Sequence, residues 1–208
     1  MTSRQWYTLL LEDNLIMSSL DETSPRVYSP CRTELASPTN DWARTWWLAR
    51  LKGLGPVTTT FLWRLLHKLI PTQERLSKII KNKNPSSHCQ LCQKGEVENL
   101  DHTFFLCSFN SNAGNLHLQC LQTHAPGLTS MQILILNLDV ETSKEFPIVW
   151  MIGNFLQNIW HSRQEKKKPK LFSIRSDLEA RSNLLRNARL ENQACILEDL
   201  IELCFKNL

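Results

Sequence analysis

The feature of this sequence that most constrains its fold is a cluster of three cysteines and one histidine between residues 89 and 107. Cys89 and Cys92 are separated by two residues, His102 follows after nine more, and Cys107 follows after a further four. Zinc prefers four thiolate or imidazole ligands in a tetrahedron, and a C-x2-C turn directs two thiolates inward from one knuckle. The pattern therefore predicts a closed, structural zinc site with ligands in the order CCHC.

The chain between and around these residues suits such a site. A short helix that begins near Asn99 would present His102 in its first turn and place Cys107 just beyond its end. Gly95 lies between the two halves of the cluster and gives the backbone freedom to turn there.

Other residues near the cluster are weaker candidates as ligands. His88 adjoins Cys89, and neighbours in sequence rarely bind the same tetrahedral ion. Glu96, Glu98 and Asp101 are expected at the surface, or as groups that orient the histidine through its free ring nitrogen. The alternative to a metal site is a chance cluster of free thiols and a partly buried histidine.

The composition is that of an ordinary soluble globular protein. The 208 residues are 42% hydrophobic and 21% charged, with a net charge of +4. No apolar run is long enough to span a membrane and the first residues lack the pattern of a secretory signal peptide, so we expect an intracellular protein of the nucleus or cytoplasm, without a membrane partner. Seven cysteines, three of them clustered beside a histidine, favour metal binding over a disulfide framework.

Hydrophobic periodicity predicts a mostly α-helical fold in three parts. Residues 1–40 read as a short amphipathic helix (5–19) followed by a linker rich in Ser, Thr and Pro. Residues 41–125 form the zinc-binding domain, with helices over 41–51, 57–70 and 72–80, the last capped by Thr72. Residues 126–208 form a helical C-terminal region, with a helix over 147–163 that starts at Pro147 and a long helix over 171–205.

Basic residues concentrate in two regions that are candidates for contact with a phosphate backbone. The first lies just before the knuckle and the second follows the helix over 147–163; together they supply Arg64, Lys68, Arg75, Lys78, Lys81, Lys83, Lys166, Lys167 and Lys168. The alternative for both regions is ordinary, solvated surface charge. Aromatic residues can stack on unpaired bases, but helical spacing predicts that the tryptophans are core residues: Trp42, Trp46, Trp47 and Trp63.

Nothing in the sequence indicates catalysis. The G-x-S-x-G, P-loop and G-x-G-x-x-G motifs do not occur, and no small-molecule substrate is expected. His117 and His124 have no cysteine or carboxylate at a useful spacing and are expected to be ordinary polar positions.

Segments of the sequence resemble the zinc-binding domain at the C-terminal end of reverse transcriptases from non-long-terminal-repeat retrotransposons. These segments are FLWRLLHKLIPTQERL, CQLC and LDHTFFLC, within residues 41–110. The residues that match the family's motifs are Phe61, Trp63, Pro71, Thr72, Arg75, Cys89, Cys92, Glu98, His102 and Cys107. The stretches VWMIGNFLQNIWHSR and DLEARSNLLRNAR are similar, more loosely, to the helical tail that can follow this domain.

The resemblance implies a role in replicating a mobile element, in which the domain helps a reverse transcriptase hold template RNA or target DNA. It does not imply polymerase activity, because that family's polymerases use a pair of adjacent palm aspartates and no Asp-Asp pair occurs here. We therefore expect a non-catalytic accessory domain that works with the remainder of a reverse transcriptase polyprotein. The alternative function is a zinc-stabilised protein-interaction domain that binds no nucleic acid.

Overall fold

The computed structural model describes residues 42–51, 53–80, 85–92, 94–140 and 142–206. Within these ranges the chain forms eight α-helices and one π-helical turn, with no β-strand, so the predicted mostly α fold is confirmed. The helix and the linker predicted over residues 1–40 lie outside the described residues. The helices are α1 (Trp42–Leu48), α2 (Pro56–Leu66), α3 (Gln73–Ile79), α4 (Ser111–His124), α5 (Ser130–Leu134), α6 (Thr142–Gln164), α7 (Leu171–Asn187) and α8 (Glu191–Phe205), with the π-helical turn at His102–Leu106.

Helices α2 and α3 begin within one residue of their predicted starts, but α2 ends at Leu66 rather than at Ile70. The chain turns there, since Lys68 has a φ of 53° in the left-handed region. Pro56 occupies the first turn of α2, where its missing N–H leaves no helical bond unmade. The apolar face of α2 is buried through Phe61, Leu62, Leu65 and Leu66. Thr72 caps α3 as predicted, since its side chain accepts a hydrogen bond of 3.3 Å from the backbone N–H of Arg75. This cap fixes the start of α3.

Helix α6 is the centre of the core and packs against α1, α2, α4, α7, α8 and the π-helical turn. Ile148, Met151, Ile152 and Phe155 on this helix are completely buried. A Cβ at Gly153 would lie 2.4 Å from Cγ2 of Thr58, so the glycine lets α6 and α2 approach closely. One buried cluster extends from Leu48 in α1 to Phe205 in α8. The domain division at residue 125 stays a prediction.

Helix α6 begins earlier than the sequence suggested. It starts at Thr142 rather than at Pro147, which lies inside the helix. Two residues of the additional turn are held by the fold: Glu145 is 4% exposed and lies 2.7 Å from Nη2 of Arg44, while Phe146 is buried in the core. Tertiary contacts thus extend the helix past a proline that by itself favours a first-turn position.

The single helix predicted over 171–205 is wrong, because the structure contains two helices that fold back on each other. The link between α7 and α8 includes Arg189, whose φ of 59° lies in the left-handed region. The N–H of Leu190 bonds the carbonyl of Leu185 at 2.9 Å, which closes the end of α7. The reversal packs α7 against α8 and buries Ile174 and Leu178 of α7. One straight helix could not make this contact.

The tryptophans do not all enter the core, contrary to the prediction. Trp47 is 51% exposed and Trp63 is 45% exposed, whereas Trp46 packs partly against the core cluster. The side chain of Trp42 lies outside the described part of the chain. The broad apolar face of α2 is already filled by leucines and Phe61, so Trp63 lies on the other side of that helix.

Within the described ranges, no helix is long and apolar enough to cross a membrane.

Candidate metal centre

A tight hairpin positions the first two cysteines. The N–H of Cys89 donates to the carbonyl of Glu96 at 2.8 Å, and the N–H of Glu98 donates to the carbonyl of Ser87 at 2.9 Å. Gly95 has a φ of 69°, in the left-handed region that residues with a side chain rarely adopt. Gly95 therefore permits the chain to reverse direction between the two halves of the cluster, as the sequence predicted.

A π-helical turn positions the other two predicted ligands. Asn99 precedes the two helical residues that lead into this turn, close to the predicted start, and its Oδ1 accepts a hydrogen bond of 2.8 Å from the N–H of His102. The N–H of Cys107 then donates to the carbonyl of His102 at 2.7 Å, a bond that spans five residues. In an α-helix, residues five apart would lie about 140° apart around the axis. The wider π turn brings the two side chains to the same side.

The four predicted side chains converge, and their ligand atoms all lie within 4.8 Å of one another. Sγ of Cys89 lies 3.7 Å from Sγ of Cys107, and Sγ of Cys92 lies 3.5 Å from Nε2 of His102. Ligands around tetrahedral zinc should be about 3.8 Å apart for two sulfurs and about 3.6 Å apart for sulfur and nitrogen. The arrangement fits a metal ion of zinc's size at its centre.

Burial makes this cluster a poor place for free thiolates. It raises the pKa of Cys89 to about 12 and also raises the pKa of Cys107. The two thiols are therefore neutral at pH 7 unless a cation compensates for the desolvation of their negative charge. A divalent ion held by these residues would supply that compensation, since metal coordination deprotonates a thiol.

Two of the nearby acidic residues have different roles. Oε2 of Glu96 lies 3.0 Å from Nδ1 of His102, as expected for a group that orients the histidine. Glu98 is completely buried, so its expected place at the surface is wrong. Its Oε1 accepts hydrogen bonds from the N–H of Gln73, at 3.0 Å, and from Arg163. The sequence offered no signal for these partners, which are 25 and 65 residues away.

His88 does not join the cluster. Its side chain is exposed, and its Nδ1 lies 3.2 Å from Oγ of Ser86. The residue forms an isolated antiparallel bridge with Val97. Its role in the hairpin is therefore that of backbone pairing.

The predicted basic residues lie in different settings. Arg64 is exposed, Lys68 and Arg75 are half-buried, and Lys78 is exposed with its Nζ 2.7 Å from Oε1 of Glu74. Lys166, Lys167 and Lys168 are exposed where α6 ends. Lys81 and Lys83 lie outside the described residues.

His117, expected to be an ordinary polar position, is instead completely buried on α4. Its ring stacks on Phe155 with centroids 4.5 Å apart, and neither ring nitrogen has a hydrogen-bond partner within the described ranges. Burial lowers the pKa of His117 to about 3, so the ring is neutral and behaves as an aromatic core residue. The helical spacing of His117 with Ala113 and Leu121 was the signal in the sequence for this burial.

Comparison with known proteins agrees with the geometry. Residues 23–113 match a family model described as zinc-binding in reverse transcriptase. The match includes all four residues of the cluster and ends in the first turn of α4. No curated protein and no solved structure matches the chain.

Proposed function

Because residues 23–113 carry a zinc-binding domain of the reverse-transcriptase type, we propose that the chain is a zinc-stabilised accessory domain that binds nucleic acid without catalysis. The observation that carries the proposal is the converging cluster of three thiols and one imidazole. The domain would help a reverse transcriptase hold template RNA or target DNA, and its protein partner would be the remainder of that polyprotein.

Zinc is the metal that this set of ligands favours. Thiolate and imidazole ligands suit zinc, whereas magnesium and calcium prefer oxygen. Four protein ligands leave no position for water or substrate, which is typical of a structural site. Cys89 and Cys92 would hold the ion from the hairpin, and His102 and Cys107 would hold it from the π-helical turn. Bound zinc supplies the link that fixes these two elements together.

Basic side chains support contact with nucleic acid. The sequence from residue 42 to residue 73 contains five Lys or Arg residues and no Asp or Glu. Lys166, Lys167 and Lys168 add an exposed basic segment, and the pairing of Lys167 with Glu165 at 3.1 Å is itself exposed and therefore weak. Each lysine or arginine that neutralises a phosphate releases a counterion, which makes such binding sensitive to salt.

A titration of the zinc-loaded chain with single-stranded RNA and with duplex DNA, at two salt concentrations, tests this function. We expect an affinity that falls steeply as salt rises. A triple variant, Lys166→Gln, Lys167→Gln and Lys168→Gln, should bind more weakly with a shallower salt dependence, whereas the control Arg175→Gln should change little. No measurable binding at low salt would exclude nucleic-acid binding and favour the alternative, a zinc-stabilised domain that docks on protein.

A further inference from the structure

Three aromatic rings form a ladder on the surface between α1 and α2. The ring centroids of Trp46 and His67 are 4.9 Å apart, and those of His67 and Trp63 are 4.4 Å apart. Trp63 ends the ladder with 45% of its surface exposed. Adjacent rings are tilted by 37° and 47°, so they pack at an angle rather than face to face. An indole packed in this way and partly open to solvent offers a face for another planar group.

Positive charge accompanies the ladder. Arg64 and Lys68 follow Trp63 and His67 directly in sequence, and no described acidic group forms an ion pair with either. The side chain of Arg50 is tied to the ladder, because its Nε donates to the carbonyl of Trp46 at 3.2 Å. Glu145, which reaches α1 from α6, is buried against Arg44 and is already neutralised. The surface therefore combines exposed aromatic area with cations.

This combination selects one class of ligand. Burial lowers the pKa of His67, which favours the neutral ring between the two indoles. An apolar partner would gain from Trp63 but would have to desolvate the neighbouring Arg64 and Lys68. A single nucleic-acid strand satisfies both features, since its unpaired bases stack on aromatic rings while its phosphates meet the cations.

We propose that the Trp46–His67–Trp63 ladder is a stacking platform for an unpaired base of single-stranded nucleic acid, with Arg50, Arg64 and Lys68 contacting its phosphates. The inference rests on the proposed function and specifies the form of nucleic acid that the domain prefers. Duplex DNA has its bases stacked internally, so it can use only the cations of this surface.

The test compares a single strand of about 20 nucleotides with an abasic single strand that carries the same number of phosphates, and both with the duplex of the first strand. With the zinc-loaded chain we expect the intact single strand to bind about tenfold more tightly than the abasic strand. Trp63→Leu should remove that difference while leaving the salt dependence unchanged, because it removes stacking and not charge. Trp63→Phe should restore part of it.

Trp47→Leu is the matched control, because it removes an indole that is 51% exposed and makes no ring contact within the described residues. We expect this variant to retain the preference for the intact strand, with circular dichroism and zinc content reporting folding for every variant. Equal binding of intact and abasic strands by the wild type would overturn the platform while leaving nucleic-acid binding intact. Equal losses in the Trp63 and Trp47 variants would also overturn it. Failure to bind any probe at low salt would instead reject the proposed function itself.

Discussion

Arg163 of helix α6 donates a hydrogen bond from its Nη2 to the buried Oε1 of Glu98, which lies in the metal-centre hairpin. The side chains of the pair are 13% and 1% exposed, respectively. Glu98 also accepts from the N–H of Gln73 at 3.0 Å, at the start of α3. One carboxylate therefore joins the hairpin, the helix before it and the central helix of the C-terminal region.

Replacement of Arg163 should destabilise the whole fold. Arg163→Met leaves the carboxylate of Glu98 buried without its cation, and breaking such a pair costs about 3–5 kcal/mol. The double variant Arg163→Met/Glu98→Gln should recover a large part of this loss, because it removes the uncompensated charge. Urea unfolding of the zinc-loaded protein measures both values.

The control for this prediction is an ion pair of the same type at the surface. Arg175 and Glu179 are 2.7 Å apart on α7, with side chains about half exposed. Arg175→Ala should cost no more than about 0.5 kcal/mol. A similar cost for Arg163→Met would mean that the buried pair does not hold the hairpin to α6.

Gly114→Ala should disturb the metal centre through packing. A Cβ at position 114 would lie 2.2 Å from the carbonyl oxygen of Phe104, within the π-helical turn that carries His102. The turn must shift, so we expect a loss of about 1–3 kcal/mol in unfolding free energy and weaker zinc retention against a chelator. Gly153→Ala makes a comparable clash with Thr58, away from the metal centre. It should lower stability without selectively weakening zinc retention, and equal zinc loss in both variants would contradict the account.

Glu96→Gln should weaken metal binding without unfolding the protein. The carboxylate at 3.0 Å from Nδ1 holds the ring of His102 with Nε2 toward the cluster. Removing such a partner lowers metal affinity by about tenfold or more. Competition with a chromophoric chelator measures the change, and Glu202→Gln, an exposed change on α8, should have no effect. Unchanged zinc affinity in the Glu96 variant would show that this contact does not tune the site.

His117 should make stability depend on pH. Its pKa is about 3 in the folded protein, below its ordinary value of 6.5, so only the unfolded chain gains the proton between these values. The contribution of this residue to stability is therefore complete above pH 6.5. It declines by about 1.4 kcal/mol per pH unit as the pH falls toward 3.

His117→Phe removes this titration and keeps an aromatic ring against Phe155. The unfolding free energy of the wild type should fall by about 2 kcal/mol more than that of the variant between pH 6.5 and pH 5. Contributions from the metal ligands are common to both proteins and cancel in the comparison. His161→Gln, an exposed change on α6, should leave the pH dependence as in the wild type. Parallel curves for wild type and His117→Phe would refute the assignment.

Local rules predicted much of the fold. Pro56 and Thr72 mark helix starts through bonds within a few residues, and the cysteine spacing encodes the knuckle directly. The errors arose where contacts between residues distant in sequence determine where a helix begins or ends. Helix α6 begins before Pro147 because Phe146 is buried in the core. The chain reverses at Arg189 because α7 and α8 bury apolar residues against each other.

In the candidate site, too, the features set by local spacing were predictable and those set by distant contacts were not. The four residues of the cluster are close in sequence and could be identified from spacing alone. The partners of Glu98 lie on two other helices, and the exposure of Trp63 depends on which face of α2 meets α6. Helical spacing shows that a tryptophan lies on a face, but it does not show whether a neighbouring helix covers that face.

The metal content of the purified chain tests the central claim most directly. Protein purified without chelator should contain one zinc ion per chain, and Cys92→Ser should contain far less. Removal of zinc should unfold residues 85–110, seen as faster amide hydrogen exchange there, because the binding energy of such a site stabilises its fold. Zinc well below one ion per chain in the wild type, or full zinc retention in Cys92→Ser, would contradict the assignment of this cluster as a structural zinc site.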